Sequence, residues 1–352
     1  MIKVCFARYN DNVQQIFLSA EQQNWCRTNL AELFAMDYQL SPLKVEASHR
    51  HFYRATNAQS EQSFILMVSP PDLERNDLFV AIQAILMQQD VPVPEIVRHN
   101  SELGLFVLSD LGQRDFATVY ATSAREDAIR SAIEMLHIIE PIRDAAIDPY
   151  EQDRLHMELN LFTEWFTEKL IALEPADDAA TIYVASFDLL VAVIERQPKS
   201  CVHRDYHCRN LLYNQQRLGI VDFQDALIGP CLYDLASLLH DCYYPFSEQE
   251  IDQWLDYFLT GTDRLQTFTK EETRRMLDFT AYQRQMKAIG IFARLHLRDR
   301  KSTHLIHIVP LLKRMVTSMS RYPELAALQL QLRSCIEPAE SRIGNESRAE
   351  PR

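Results

Sequence analysis

Glycine is scarce, seven residues in 352, and neither a Walker A sequence nor G-x-G-x-x-G occurs, so the chain has no glycine-rich phosphate loop. The seven cysteines, Cys5, Cys26, Cys201, Cys208, Cys231, Cys242 and Cys335, are odd in number and show no C-x-x-C pair. That argues against a disulfide framework or a zinc cluster and leaves reduced thiols. No apolar run approaches a membrane span, and no basic segment followed by an apolar one opens the chain, so a cytoplasmic protein is expected. Positive charge is also short, with 36 Lys and Arg against 49 Asp and Glu for a net charge of -13, which opposes a phosphate-backbone footprint and hence a nucleic-acid partner.

What is present is an ordinary globular composition, 47% hydrophobic and 24% charged, long enough for two lobes with separate cores. Its chemistry gathers in Cys201-Val-His-Arg-Asp-Tyr-His-Cys-Arg-Asn210 and the nearby Gly219-Ile-Val-Asp-Phe-Gln-Asp225. These stretches place His203, Asp205 and Asn210 on one loop and Asp222 at the end of the next apolar run. Between them Leu211-Leu-Tyr213, a polar turn Asn214-Gln-Gln-Arg217 and Leu218-Gly-Ile-Val221 predict a hairpin. A carboxylate followed five residues later by an amide oxygen, with a second carboxylate across a hairpin, suits phosphoryl transfer. That reaction has a loose, charged transition state, which needs an aligned hydroxyl and magnesium held by a few hard oxygens. Asp205 is then the base, and Asn210 and Asp222 are the metal ligands.

Along the chain, residues 1–18 give no clear pattern and are taken as an N-terminal extension. Ser19 with Gln22 predicts a capped helix bearing Trp25, Leu30, Leu33 and Phe34. Short extended pieces follow at Lys44-Val-Glu46, Arg50 to Arg54 and Ser63 to Val68, ended by Pro70-Pro71. A helix over 77–89 and strands near 95–98 and 103–108 complete a small α+β lobe over 19–112, with Ser109-Asp-Leu-Gly112 as the way out. Residues 113–336 read as a larger, mainly helical lobe. Its helices include one opened by Ser123 and Glu126 with Ile129, Ala132, Ile133 and Leu136 inward, and others over 151–173, 179–195, 248–259, 270–295 and 303–320. Residues 337–352 combine Pro, Ser, Gly, Asn and charge and predict a disordered tail.

The small lobe, the hinge and H-x-D-x-x-x-x-N with D-F-Q-D together resemble the aminoglycoside phosphotransferase and choline kinase branch of the protein-kinase-like bilobal fold. Within it, Arg50 to Arg54, Met67-Val-Ser-Pro-Pro71, Tyr233-Asp-Leu-Ala-Ser-Leu-Leu-His-Asp-Cys242 and Gln283 to Arg294 resemble bacterial anomeric kinases of N-acetylmuramate and N-acetylglucosamine in cell-wall recycling. The resemblance implies an ATP- and magnesium-dependent enzyme that makes the sugar 1-phosphate, and a monomer is expected. An aminoglycoside or amino-alcohol kinase, or a non-catalytic pseudokinase, remains an alternative.

Carried residue by residue, it makes Asp205 the base, His203 a brace of the catalytic loop, and Asn210 and Asp222 magnesium ligands. Ser109, Asp110 and Leu111 match the hinge that meets adenine, and Asp234 caps the next helix and holds the loop. The strand that should present an ATP-binding lysine reads Phe64-Ile-Leu-Met67. Arg50 or Arg54 would then neutralise phosphate, or both are solvated strand residues. For the sugar the candidates are Asp241 and, at spacings of three and seven on one helix, Arg284, Lys287 and Arg294. A muramic acid needs such a cation for its lactyl carboxylate.

Overall fold

A computed structural model describes residues 18–34, 38–43, 49–173 and 177–349. Its chain divides into two units, Met1–Arg114 with Leu212–Gln224, and Asp115–Leu211 with Asp225–Arg352. Residues 1–17 of the extension expected over 1–18, and the strand expected at Lys44 to Glu46, lie outside the described residues.

The first unit is built on a sheet of β1 Gln39–Pro42, β2 His51–Asn57, β3 Ser60–Val68, β4 Ile96–Asn100 and β5 Leu105–Ser109. Its order is β1-β2-β3-β5-β4, and every neighbouring pair is antiparallel. β3 and β5 are central and buried on both faces, which is why they read as continuous apolar runs. Phe64, Leu66 and Val68 alternate onto the face that packs with Cys26, Leu30 and Phe34 of helix Ala20–Phe34. On the other face Phe106 meets Phe79 of helix Asn76–Gln88 edge-on, with ring centroids 5.5 Å apart. The expected cap forms: Ser19 N donates to Gln22 Oε1 at 2.9 Å, and Gln22 N to Ser19 Oγ at 3.1 Å. β1 is the strand the sequence concealed.

The hairpin pairs Leu211–Asn214 with Arg217–Ile220. Gln215 and Gln216 take positive φ of 49° and 62°, as a two-residue primed turn requires. Asn214 donates to Leu111 O at 2.7 Å and Tyr213 N to Arg114 O at 2.8 Å, fastening the hairpin to the segment leaving β5.

In the second unit, helices cluster around the 30-residue helix Lys270–Asp299. This long helix starts at a full capping box between Thr269 and Glu272 and ends at Arg300, whose φ of 58° is left-handed. Helix Arg125–Ile139 buries Ile129, Ala132, Ile133 and Leu136 as expected, but Ser123 and Glu126 do not cap it. Thr122 Oγ1 takes the Ala124 amide instead, and the helix opens at Arg125, whose guanidinium turns to Glu250 at 2.6 Å.

The helix expected over 151–173 is α-helical over Gln152–Leu161 and then widens into a π-helix over Phe162–Leu170. The change falls where Gly290 of the long helix abuts the backbone. A Cβ there would lie 2.4 Å from Leu161 C and 2.7 Å from Phe162 N, closer than real contacts allow. Gly290→Ala should therefore force the two helices apart at a cost of about 1–3 kcal/mol. Thermal unfolding checks it; a variant as stable as the parent would mean that this junction yields freely.

The expected disordered tail is a correction. Ile336–Ala349 is helical, and Cys335, Ala339 and Ile343, spaced four apart, are buried along one side. Lys313 reaches Glu340 at 2.6 Å from the helix Ile308–Ser318. A polar composition hid an apolar stripe narrow enough to need only three residues.

Candidate active site

Strand Lys199–Val202 pairs antiparallel with Leu227–Pro230 and delivers the loop that begins at His203. The loop is pinned at both ends by carboxylates. His203 N and Arg204 N donate to Asp234 Oδ2 and Oδ1 at 2.6 and 2.9 Å. Cys208 N donates to Asp241 Oδ2 at 2.8 Å, and Asp241 Oδ1 takes the Tyr243 amide at 2.7 Å. His203 is buried, and its Nδ1 faces the Asp205 amide at 3.3 Å, the bracing role expected of it. Asp234 holds the loop as expected but does not cap its helix Tyr233–Leu239, whose N-cap is Leu232. Asp241, expected as a sugar ligand, braces the loop as well, each of its oxygens accepting a backbone amide.

Arg204 has a positive φ of 78°, and its side chain turns inward. Its guanidinium meets Glu158 at 2.8 Å and the Asp225 carbonyl at 3.2 Å and lies 5.4 Å from the Tyr150 ring centroid. Lys287 approaches the same Glu158 oxygen at 3.3 Å. Tyr150 and Gln283 also donate to Glu158, Gln283 at 3.1 Å. Burial alone would raise the Glu158 pKa, but Lys287, Arg204 and these hydrogen bonds outweigh it and hold the carboxyl below its ordinary value.

Asp205 sits beside this network. Burial would raise its pKa, yet Lys287, His207, Arg204 and Arg284 together hold it well below the usual carboxylate range. It is therefore ionised at neutral pH and able to accept a hydroxyl proton. Arg284 donates to the Arg204 carbonyl at 3.2 Å and lies over the Tyr233 ring. The structure thus brings Arg284 and Lys287 to the catalytic loop. Arg294 is not among them, since its electrostatic neighbours are Arg298, Asp299 and Glu164.

Asn210 donates its side-chain nitrogen to the Asp205 carbonyl at 3.0 Å, which turns its amide oxygen the other way. Asp222 is exposed, has a positive φ of 65° and accepts from Gln224 at 2.7 Å, while Phe223 beside it is buried on Phe79. Both are hard oxygen donors of the kind magnesium takes. That ion characteristically uses one or two protein ligands and completes its shell with water and substrate phosphate. The residues fit it.

The arginines expected to neutralise phosphate have partners within their own unit. Arg54 forks onto Asp110 at 2.6 and 3.1 Å and reaches the Gly112 carbonyl at 3.0 Å. Burial raises the Asp110 carboxyl, but Arg54, Ser63 and the Gly112 amide lower it further. Arg50 bonds Ser69 Oγ at 3.1 Å, pairs with Glu74 at 3.3 Å and covers the Phe79 ring. Guanidinium groups in a low-dielectric setting found carboxylates within their own unit. At the expected hinge, Ser109 N donates to the Glu95 carbonyl and Leu111 O accepts from Asn214, so these groups serve the protein.

Glu158, Tyr150, Gln283 and Arg204 were not anticipated as site residues. A signal existed for one of them, since Glu158 shares its helix side with Leu155, Leu159 and Phe162 and so had to be buried.

The sequence pattern of the phosphotransferase enzyme family matches residues 39–268. An N-acetylmuramate/N-acetylglucosamine kinase of Neisseria meningitidis serogroup B is 31% identical over 316 residues, 87% of this chain and 92% of that one. A kinase of the same name from Pseudomonas aeruginosa is 31% identical over 330 residues, 90% of this chain and 96% of its own. Among solved structures, a choline/ethanolamine kinase family protein from Mesorhizobium loti superposes with a TM-score of 0.61 at 16% identity, covering 89% of this chain and 99% of that one. An ADP-bound aminoglycoside phosphotransferase gives 0.56 at 16% identity, covering 84% and 97%. The antiparallel sheet with a helical second unit is accordingly a protein-kinase-like fold. With a braced, ionised aspartate on its H-x-D-x-x-x-x-N loop, the chain belongs to the phosphotransferase enzyme family.

Proposed function

We propose that the protein is an ATP- and magnesium-dependent kinase that phosphorylates the anomeric hydroxyl of N-acetylmuramate, N-acetylglucosamine or both. The product is the sugar 1-phosphate. The observation that carries the reading is Asp205, kept anionic by Lys287, His207, Arg204 and Arg284 on a loop braced by Asp234 and Asp241. The names of the relatives support the substrate class.

In this reading the acceptor hydroxyl donates to Asp205, and its oxygen bonds to the γ-phosphorus as the bond from that phosphorus to the bridging oxygen breaks. The proton ends on Asp205. A carboxylate of such low basicity accepts it late, which suits a loose transition state in which the nucleophile needs alignment more than activation. Asn210 and Asp222 would each offer magnesium an oxygen, and the ion when bound would neutralise phosphate charge.

Phosphorylation with ATP and magnesium across N-acetylmuramate, N-acetylglucosamine, glucosamine, choline and kanamycin tests it, with the position read by phosphorus NMR. A 1-phosphate on an N-acetyl sugar is expected. Turnover of choline or kanamycin alone would keep the mechanism and overturn the substrate. ATP binding with no turnover on any acceptor would favour a pseudokinase.

A further inference from the structure

We propose that Arg284 is a positioning residue for Asp205: it holds the carbonyl of Arg204, the left-handed residue just before the base, and so fixes the peptide plane from which the Asp205 carboxylate is aimed at the acceptor hydroxyl. This rests on the kinase reading above and takes Arg284 out of sugar recognition, where its place on the long helix had put it.

A residue with a Cβ is strained at the φ of 78° that Arg204 adopts, and such a conformation persists only where the surroundings over-determine it. Three helices do so here. Asp234, on helix Tyr233–Leu239, takes the Arg204 amide at 2.9 Å and the His203 amide at 2.6 Å. Glu158, on helix Gln152–Leu161, takes the guanidinium at 2.8 Å, and the Asp225 carbonyl takes it at 3.2 Å. Arg284, on helix Lys270–Asp299, donates from Nη2 to the Arg204 carbonyl at 3.2 Å.

The hold on the carbonyl bears most directly on the chemistry. The C=O of Arg204 and the N–H of Asp205 belong to one rigid plane. Arg284 grips the oxygen edge of that plane, and His203 Nδ1 faces its N–H edge at 3.3 Å. Held at both edges, the plane cannot swing, and the Cα of Asp205 at its end sends the carboxylate out in one direction.

Arg284 is suited to this task. Its guanidinium lies 5.1 Å from the ring centroid of Tyr233, which is fully buried and immediately precedes Asp234. Stacking of this kind fixes the guanidinium plane and with it the direction of the N–H groups. A guanidinium can take a carboxylate side-on through Nε and Nη2, as Arg54 takes Asp110. On Arg284 that edge is spent, because Nη2 serves the Arg204 carbonyl and Nε is buried within the protein. Lys287, one turn along the same helix, holds the other end of Arg204 through Glu158 at 3.3 Å. The spacing of three between the two cations therefore serves one loop residue twice.

The test measures kcat and KM for N-acetylmuramate and N-acetylglucosamine in the parent, Arg284→Met, Arg284→Lys, Arg204→Gly and Arg204→Ala. Arg284→Met should lower kcat by about 10–10²-fold, the scale of an ångström-sized misplacement, by the same factor for both sugars and with KM little changed. Arg284→Lys, which keeps a donor for the carbonyl, should recover part of the loss. Arg204→Gly and Arg204→Ala both lose the guanidinium and differ only at Cβ. The glycine variant should keep about fivefold more kcat, because glycine takes a positive φ without strain. A folded Arg284→Met enzyme with the parent's kcat would overturn the inference. So would a loss confined to N-acetylmuramate and to KM, which would make Arg284 a ligand of the sugar's carboxylate. If Arg284→Met does not fold, the glycine and alanine pair decides, and equal kcat in the two overturns the inference. If the parent phosphorylates neither N-acetyl sugar, the sugar-kinase reading falls and this inference falls with it.

Discussion

Asp205→Asn should lower kcat by about 10²–10⁴-fold, the usual worth of a positioned general base, with KM for the sugar changed little. The substitution keeps the shape of the side chain and removes its charge. Asn210 bonds the Asp205 backbone carbonyl and His203 faces its amide, so the loop keeps its bracing. What disappears is the acceptor for the hydroxyl proton.

The pH dependence follows from the direction of the shift. The carboxyl of Asp205 is held well below its ordinary value, so it contributes stability above the unfolded pKa and loses that contribution as pH falls through the lower folded one. It stays ionised throughout the neutral and mildly acid range, and any acid limb of the rate above pH ~5 must come from another group, since an unperturbed Asp titrates near ~3.9. The variant should also melt lower than the parent, because Lys287, Arg204 and Arg284 lose a neighbouring negative charge. Steady-state kinetics and thermal unfolding read both effects. A fully active variant would place the base elsewhere.

The catalytic stretch was legible because its logic is local. Asp205, Asn210, a hairpin and Asp222 follow one another within 205–222, and the proposed base and metal ligands rest on that order. The helices expected over 179–195 and 77–89 were equally legible and form over Ala179–Glu195 and Asn76–Gln88, since apolar period is a short-range signal. The partners of the charges were not. Arg54 finds Asp110 56 residues away and Arg204 finds Glu158 46 residues away, pairings that only the tertiary fold creates. Spacing on a helix likewise placed Arg284, Lys287 and Arg294 on one side, but ten residues of helix separate the first from the last by about 15 Å. Two of the three therefore reach Asp205, and the third faces a different part of the unit. The widening at Phe162 and the helix after Cys335 were hidden for a related reason: one answers a close backbone approach from Gly290, and the other an apolar stripe diluted by polar neighbours.

Glu158→Gln should be the most destabilising single change in the second unit, by about 3–5 kcal/mol, the cost of breaking a buried ion pair from one side. Glu158 forms ion pairs with both Arg204 and Lys287, and it also accepts from Tyr150 and Gln283. With an amide in its place two buried cations lose their ion-pair partner and keep only the more distant charge of Asp205, and one of the four donors meets an N–H group instead of an oxygen. The sign of the pH effect separates this account from a loss of packing. The folded Glu158 carboxyl lies below its ordinary value, so its contribution is complete above the unfolded pKa of ~4.3 and fades as pH falls through the folded one. The stability difference between parent and variant should thus be constant near neutrality and shrink in acid, where the parent's own carboxyl is protonated. Adding Lys287→Met to Glu158→Gln should recover part of the loss, because removing both charges of a buried pair is far less costly than removing one. Kinetics give a second reading of the same network: Arg204 carries Glu158's hold into the loop that presents Asp205, so the single variant should lose kcat even where it is fully folded. Denaturant unfolding at neutral and acid pH decides the matter, and a stability difference that stays the same down to acid pH would mean that the carboxylate's charge is not what holds the site together.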